Sequence, residues 1–179
     1  TYSFEHLNAH FVILNEYCDT GGADVTDGDI PDSLYNWLAQ DLTATAKPII
    51  FVAGHEPAFP QPDADNGRLR HEGDSLNAYE THRDRFWSLL KQHNAIYLCG
   101  HTHNYSAVRI DGVWQIDAGH ARGWGDPEAD STFLLVTVTD GLVYLQTYRS
   151  TPLSSGVYRL RYTIPLFMTN STYLPAVRK

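Results

Sequence analysis

The chain is poor in sulfur and in lysine: of 179 residues, two are cysteines, one is a methionine and three are lysines. Two thiols, Cys18 and Cys99, can build neither a disulfide framework nor a thiolate zinc site, and they read as free thiols rather than a bridge. No apolar run approaches the roughly 18 residues that a membrane span needs, and no basic segment followed by an apolar one opens the chain. No membrane span is therefore expected. Positive charge is also scarce, with 13 Lys plus Arg against 21 Asp plus Glu and a formal charge of −8. That balance argues against nucleic acid as a bulk polyanion and against an anionic membrane surface as partners. Internal repeats and low-complexity tracts are absent as well.

What is present suffices for one core: 42% of the residues are apolar, which fits one domain or a large piece of one. The sequence opens at Thr1 without a methionine, which suggests a processed or excerpted polypeptide. Asn104-Tyr105-Ser106 and Asn170-Ser171-Thr172 spell N-glycosylation acceptors and lysine is scarce, but the compartment stays open on these features; an extracellular or periplasmic, that is secreted, protein is the expectation.

Thr1 to Phe4 reads as the run-in to a strand, and His10 to Asn15 as a short buried strand followed by an Asp/Gly-rich loop, Asp19 to Asp29. Pro31 suits the start of a helix with Leu34, Trp37, Leu38 and Leu42 on one face, and Lys47-Pro48 ends it. Ile49 to Ala53 is a second buried strand, Tyr79 to His93 a second helix carrying Phe86, Leu89, Leu90 and His93 on one face, and Ala95 to Cys99 a third strand. Strand, helix, strand units imply parallel pairing. Glu56 to Asn77 lacks periodicity and reads as a long loop of the kind that serves a site. Beyond Cys99, Asp111-Gly112 and Asp140-Gly141 join short strand pairs as hairpins, and a further strand is suggested near Val157 to Tyr162. The fold class is thus α/β, a layered mixed β-sheet sandwich with flanking helices.

The chemistry gathers just after two of the parallel strands, in Gly54-His55-Glu56-Pro57 and Gly100-His101-Thr102-His103-Asn104. In open α/β sheets ligands bind at the carboxyl ends of strands. Each glycine lets the chain turn sharply, so that a histidine projects over the sheet. His101 and His103 alone can be ordinary turn residues. Two Gly-His turns at equivalent strand ends point instead to metal, and neutral imidazoles suit zinc, manganese, iron or nickel.

These two motifs resemble the last two metal-binding motifs of the calcineurin-like metallophosphoesterases, the group that includes purple acid phosphatases and many bacterial phosphodiesterases. The stretch from Phe4 to Leu14 is similar to the strand after that family's Gly-Asn-His motif, and the likeness runs from about Tyr2 to Tyr148. It implies hydrolysis of phosphate mono- or diesters at two metal ions, divalent or trivalent, sharing an aspartate and a bridging hydroxide. His55 and His101 would bind one ion and His103 the other. The family also uses Asp-x-His, Gly-Asp and Asn-His motifs, and neither Asp-x-His nor Asn-His occurs in this chain. Gly28-Asp29 spells the third but opens a helix, where capping is its expected role. The resemblance therefore implies that residues 1–150 are the C-terminal half of a phosphoesterase domain, with 151–179 a strand and tail. Its N-terminal half, upstream or on a separate chain, would complete the centre and cover an apolar edge of the parallel sheet. A non-catalytic binding or assembly module derived from a phosphoesterase is the alternative.

Other polar residues allow two readings each. Arg68, Arg70 and His71 can lean over the centre and bind substrate phosphate, or lie on a solvated loop. Asn104 can bind substrate or shape its turn. Asp19, Asp24, Asp27 and Asp29 can bind calcium, though their spacing matches no EF-hand, or form a solvated turn. His120 follows a strand without ligand spacing, and His6, His82 and His93 read as structural or surface residues.

Overall fold

The computed structural model describes residues 1–17, 28–121, 126, 129–139, 141–150 and 156–168. Cys18, Asp19, Asp24, Asp27, Asp140 and the acceptor at Asn170 lie outside them.

The first sheet contains β1 (Tyr2–His6), β2 (Ala9–Ile13), β3 (Ile49–Ala53), β4 (Ile96–Cys99), β5 (Tyr105–Ile110) and β6 (Val113–Ala118), in the order β1-β2-β3-β4-β6-β5. Between β2 and β3 runs α1 (Asp32–Ala44), and between β3 and β4 runs α2 (Glu80–Gln92). β2, β3, β4 and β6 pair in parallel, whereas β1 and β5 run antiparallel on the two edges. The second sheet is the antiparallel set β7 (Ser131–Val138), β8 (Leu142–Ser150) and β9 (Arg159–Met168), in that order.

Alternation along the strands divides the core in two. Val12, Ile50, Val52, Tyr97 and Cys99 pack against Leu34, Leu38 and Leu42 of α1 and Phe86, Leu89 and Leu90 of α2. On the opposite face Ala9, Phe51, Ile96 and Ile116 meet Val143 and Leu145 of β8 and Leu166 of β9. The expected mixed, layered α/β sandwich is the architecture observed, and Cys99 is a free, buried thiol within it. At Asp111-Gly112 both residues have positive φ, 49° and 92°, as a two-residue hairpin with right-handed strands requires.

Four expectations are corrected. The N-terminal stretch is a hairpin, not one strand: the chain reverses at Leu7, whose φ is 50°, and β1 pairs with β2 in register Phe4↔Phe11. β1 therefore covers the side of β2 expected to be an open parallel edge. Its own Tyr2 and Phe4 are exposed and continue a stack of rings through Phe11 and Phe51. Asp29 does not cap α1, whose start at Pro31 has no side-chain cap; its carboxylate takes the Ile30 N–H and binds His82 Nδ1 instead. The acceptor at Asn104-Tyr105-Ser106 is buried throughout and closed to a glycan.

The long loop is irregular as expected, down to a single 3₁₀ turn at Leu76–Ala78, yet it is firmly held. Arg149, fully buried on β8, donates to both oxygens of Asp63 at 2.9 and 2.7 Å and to Asp65 at 2.6 Å. Asp63 in turn accepts the Tyr105 N–H, and Gln115 on β6 bonds both backbone groups of Phe59. These ties carry Arg68, Arg70 and His71 over the ends of β3 and β4.

Candidate metal centre

The two Gly-His turns lie side by side because the ladder between β3 and β4 continues past the strand ends. Gly54 N–H donates to Leu98 O at 3.0 Å, and Gly100 N–H to His55 O at 2.9 Å. The rings of His55 and His101 are consequently 5.3 Å apart, edge to face. His101 is the centre of a three-residue turn closed by Thr102 N–H to Gly100 O at 2.8 Å, and its φ of 68° makes this the rare, strained form of γ-turn. His103, φ 59°, and His71, φ 59°, are left-handed too. Backbone of this kind in bulky residues persists only where the surroundings over-determine it, and it concentrates at functional sites.

Beneath the histidines the turn is pinned by buried polar groups. Thr102, fully buried between His101 and His103, donates to Asp117 Oδ2 at 2.5 Å and accepts the Asn104 N–H at 3.0 Å. Burial pushes the Asp117 carboxyl up to about 7. Under the other turn, Glu16 accepts the N–H groups of His55 and Glu56, and Tyr97 hydroxyl lies 2.6 Å from its Oε1. Burial pushes Glu16 up to about 7 as well, against the hydrogen bonds that favour its charged form. Gly54 is obligatory here, since a Cβ would overlap Glu16 Oε1 and lie 2.5 Å from the Tyr97 hydroxyl.

Above the turns, the sequence-predicted residues fall into two groups. His71 joins His101, with ring centroids 4.2 Å apart, and Asp74 lies beside both. Desolvation, with His71 and His55 nearby, holds the His101 imidazole below its usual pKa and so in the neutral, ligating form. His103 stands with His120, at 4.7 Å between ring centroids, and its Nδ1 is 3.1 Å from Asp126 Oδ2. Arg68 and Arg70 bind the two oxygens of Asp126, at 2.8 and 2.7 Å, with Arg70 also 3.3 Å from His103 Nδ1. Asn104 is fully buried: its Oδ1 accepts from Arg68 Nε at 3.0 Å, and its Nδ2 has no partner. Imidazoles from adjacent strand ends form a donor set that suits a first-row metal ion at His55 and His101.

No protein-family model matches the sequence, and neither does any curated protein. Solved structures do match. PhoD aligns over 89% of this chain and 40% of its own, at 13% identity and a TM-score of 0.62. GAP50, the anchor in the inner membrane complex of Plasmodium, aligns over 94% of this chain and 53% of its own, at 13% identity and a TM-score of 0.54. The chain has a metallophosphoesterase-like fold. It spans about half or less of the length of these two structures.

Within this metallophosphoesterase-like fold, several contributors escape sequence reasoning. Glu16 carried a usable signal, because it follows β2 at the same level as the two Gly-His turns follow β3 and β4. Tyr97 and Asp117 are polar residues inside apolar strands, a further signal. Asp74 and Asp126 each follow a glycine, as in the Gly-Asp spelling named above, but their roles arise only when the loops fold back over the sheet.

Proposed function

We propose that this chain carries the histidine half of a metal-dependent hydrolase of phosphate mono- or diesters. The observation that supports this most is the meeting of His55 and His101 at the carboxyl ends of adjacent parallel strands, 5.3 Å between rings. In this reading His55 and His101 hold one ion and His103 a second, and an N-terminal half, upstream or on a separate chain, supplies the bridging carboxylate. Bound metal ions hold phosphate oxygens, acidify a water and neutralise charge developing at phosphorus. Arg68 and Arg70 present guanidinium N–H groups beside His103, where they steer the phosphate oxygens. Asn104 positions Arg68 through its Oδ1, and its unpartnered Nδ2 is a donor in reserve. His71 stands at the other side of the substrate path. The protein is secreted, to an extracellular or periplasmic space. Residues 1–150 belong to the phosphoesterase domain and 151–179 to a strand and tail.

The likeness to GAP50, described as an anchor, favours a second reading, a phosphoesterase-derived module kept for binding or assembly. The full polypeptide decides between them. Chelator-sensitive hydrolysis of p-nitrophenyl phosphate or bis-p-nitrophenyl phosphate, restored by Zn, Mn, Fe or Ni, is the result expected of the enzyme. No turnover with any of these metals, on a folded and metal-loaded protein, favours the module.

A further inference from the structure

We infer that His71 and Asp74 join His101 to hold one divalent transition-metal ion, in a site that this chain completes from its own residues. The site shares His101 with the centre proposed above, but its geometry stands on the loop before α2 and needs neither His103 nor an N-terminal half.

One ligand atom from each of the three residues lies within 4.8 Å of the others, and among the described residues no other group of three or more His, Cys, Asp or Glu does this. His71 Nδ1 donates to Asp74 Oδ2 at 3.0 Å, a bond whose proton the ion would replace. Two ligands bound to one ion at about 2.1 Å stand roughly 3.0 to 3.5 Å from each other, so this pair already has the required spacing. His101 Nε2 lies 3.1 Å from the backbone carbonyl of Asp74, to which it donates. That bond fixes the tautomer and leaves one lone pair, on Nδ1, so His101 ligates a single ion, the one assigned above to His55 and His101. Ser75, fully buried, ties the loop back by donating to His71 O at 3.1 Å, which fixes Asp74 between the two histidines. The left-handed backbone at both His71 and His101 is what this convergence costs.

Two imidazoles and one carboxylate are a donor set for zinc, manganese, iron, cobalt or nickel. A site with three protein ligands keeps its remaining positions for water or substrate, as catalytic rather than structural sites do. His55, 5.3 Å from His101, is near enough to be a fourth.

The test is a cobalt(II) titration of the full, chelator-stripped polypeptide, followed by visible absorption and by bound metal. His71→Asn removes a ligand while tolerating the left-handed backbone, and Asp74→Asn changes an exposed side chain, so at least one variant stays folded. Each is expected to weaken cobalt binding at least tenfold and to alter the absorption spectrum, with His103→Asn unchanged at this site. Wild-type affinity and spectrum in both variants overturn the inference. If that result accompanies loss of hydrolysis in His55→Ala, this site falls and the hydrolase stands. If instead both variants lose cobalt while His55→Ala and His103→Ala hydrolyse normally, this site stands and the ligand set proposed above falls.

Discussion

Glu16 Oε2 accepts the backbone N–H groups of both His55 and Glu56, each at 2.7 Å. Tyr97 hydroxyl lies within hydrogen-bond reach of Glu16 Oε1 and of Glu56 O, at 2.6 and 2.5 Å, and it has one proton to give. The hydroxyl donates to Glu16 Oε1 or to the Glu56 carbonyl, while burial favours the neutral, protonated form of Glu16. Glu16→Gln mimics that neutral form and is expected to keep near-wild-type stability in urea denaturation. Glu16→Ala strands two N–H groups at about 1 to 3 kcal/mol each and loosens the His55 turn.

The same residue gives a pH signature. Burial raises its carboxyl to about 7 from 4.5, so the folded chain keeps a proton that the unfolded chain releases. Its contribution is present in full below pH 4.5 and is lost as pH rises to about 7, at roughly 1.4 kcal/mol per pH unit. Denaturation series across that window should show the fall in wild type and a flatter curve in Glu16→Gln. Equal slopes would remove the protonated Glu16 from the account.

Gly54→Ala is expected to be severely destabilising, by more than about 3 kcal/mol, because its Cβ would overlap Glu16 Oε1 beneath the turn. By contrast Gly100→Ala meets only His55 O at 3.9 Å and should cost far less. Thermal melts of the two variants compare them directly.

The left-handed histidines predict a trade between stability and function. Replacing His101 or His103 by Gly rather than Ala relieves a backbone held at φ 68° or 59°. Each Gly variant should be about 1 kcal/mol more stable than its Ala counterpart, while both lose metal. Equal stabilities would mean that the turns carry no strain.

Arg149 and Asp63 form a buried pair at 2.7 Å that anchors the long loop before α2 to β8. Burial alone would raise the Asp63 carboxyl, but the hydrogen bond from Arg149, N–H groups of Asp65 and Tyr105, and the guanidinium charge together hold it below its usual value. Arg149→Met should cost about 3 to 5 kcal/mol by leaving a buried carboxylate without its cation, and Asp63→Leu in the same chain should restore part of that loss. Stability from this pair is present above pH 3.8 and is lost in acid below it.

Much of the fold was legible from periodicity. β3 matches its expected span, both helices fall within a residue or two, and the Asp111-Gly112 hairpin followed from turn chemistry alone. The N-terminal hairpin is not legible because Leu7-Asn8 is not a turn pair of the usual kind; a leucine takes the left-handed position there. In the centre, glycine followed by histidine marks a strand end in sequence, so His55, His101 and His103 could be found. Asp74, Asp126 and the Arg68 to Asn104 bond depend on loops whose course is set by Arg149, 86 residues beyond Asp63. No local pattern encodes a contact of that range.

The decisive measurement for the metal centre is hydrolysis by the full polypeptide in buffer replete with metal. With a chromogenic phosphate ester as substrate, His55→Ala and His103→Ala should each lose turnover by several orders of magnitude while melting within a few degrees of wild type. Wild-type turnover in either variant would contradict the assignment of these histidines to the metal centre.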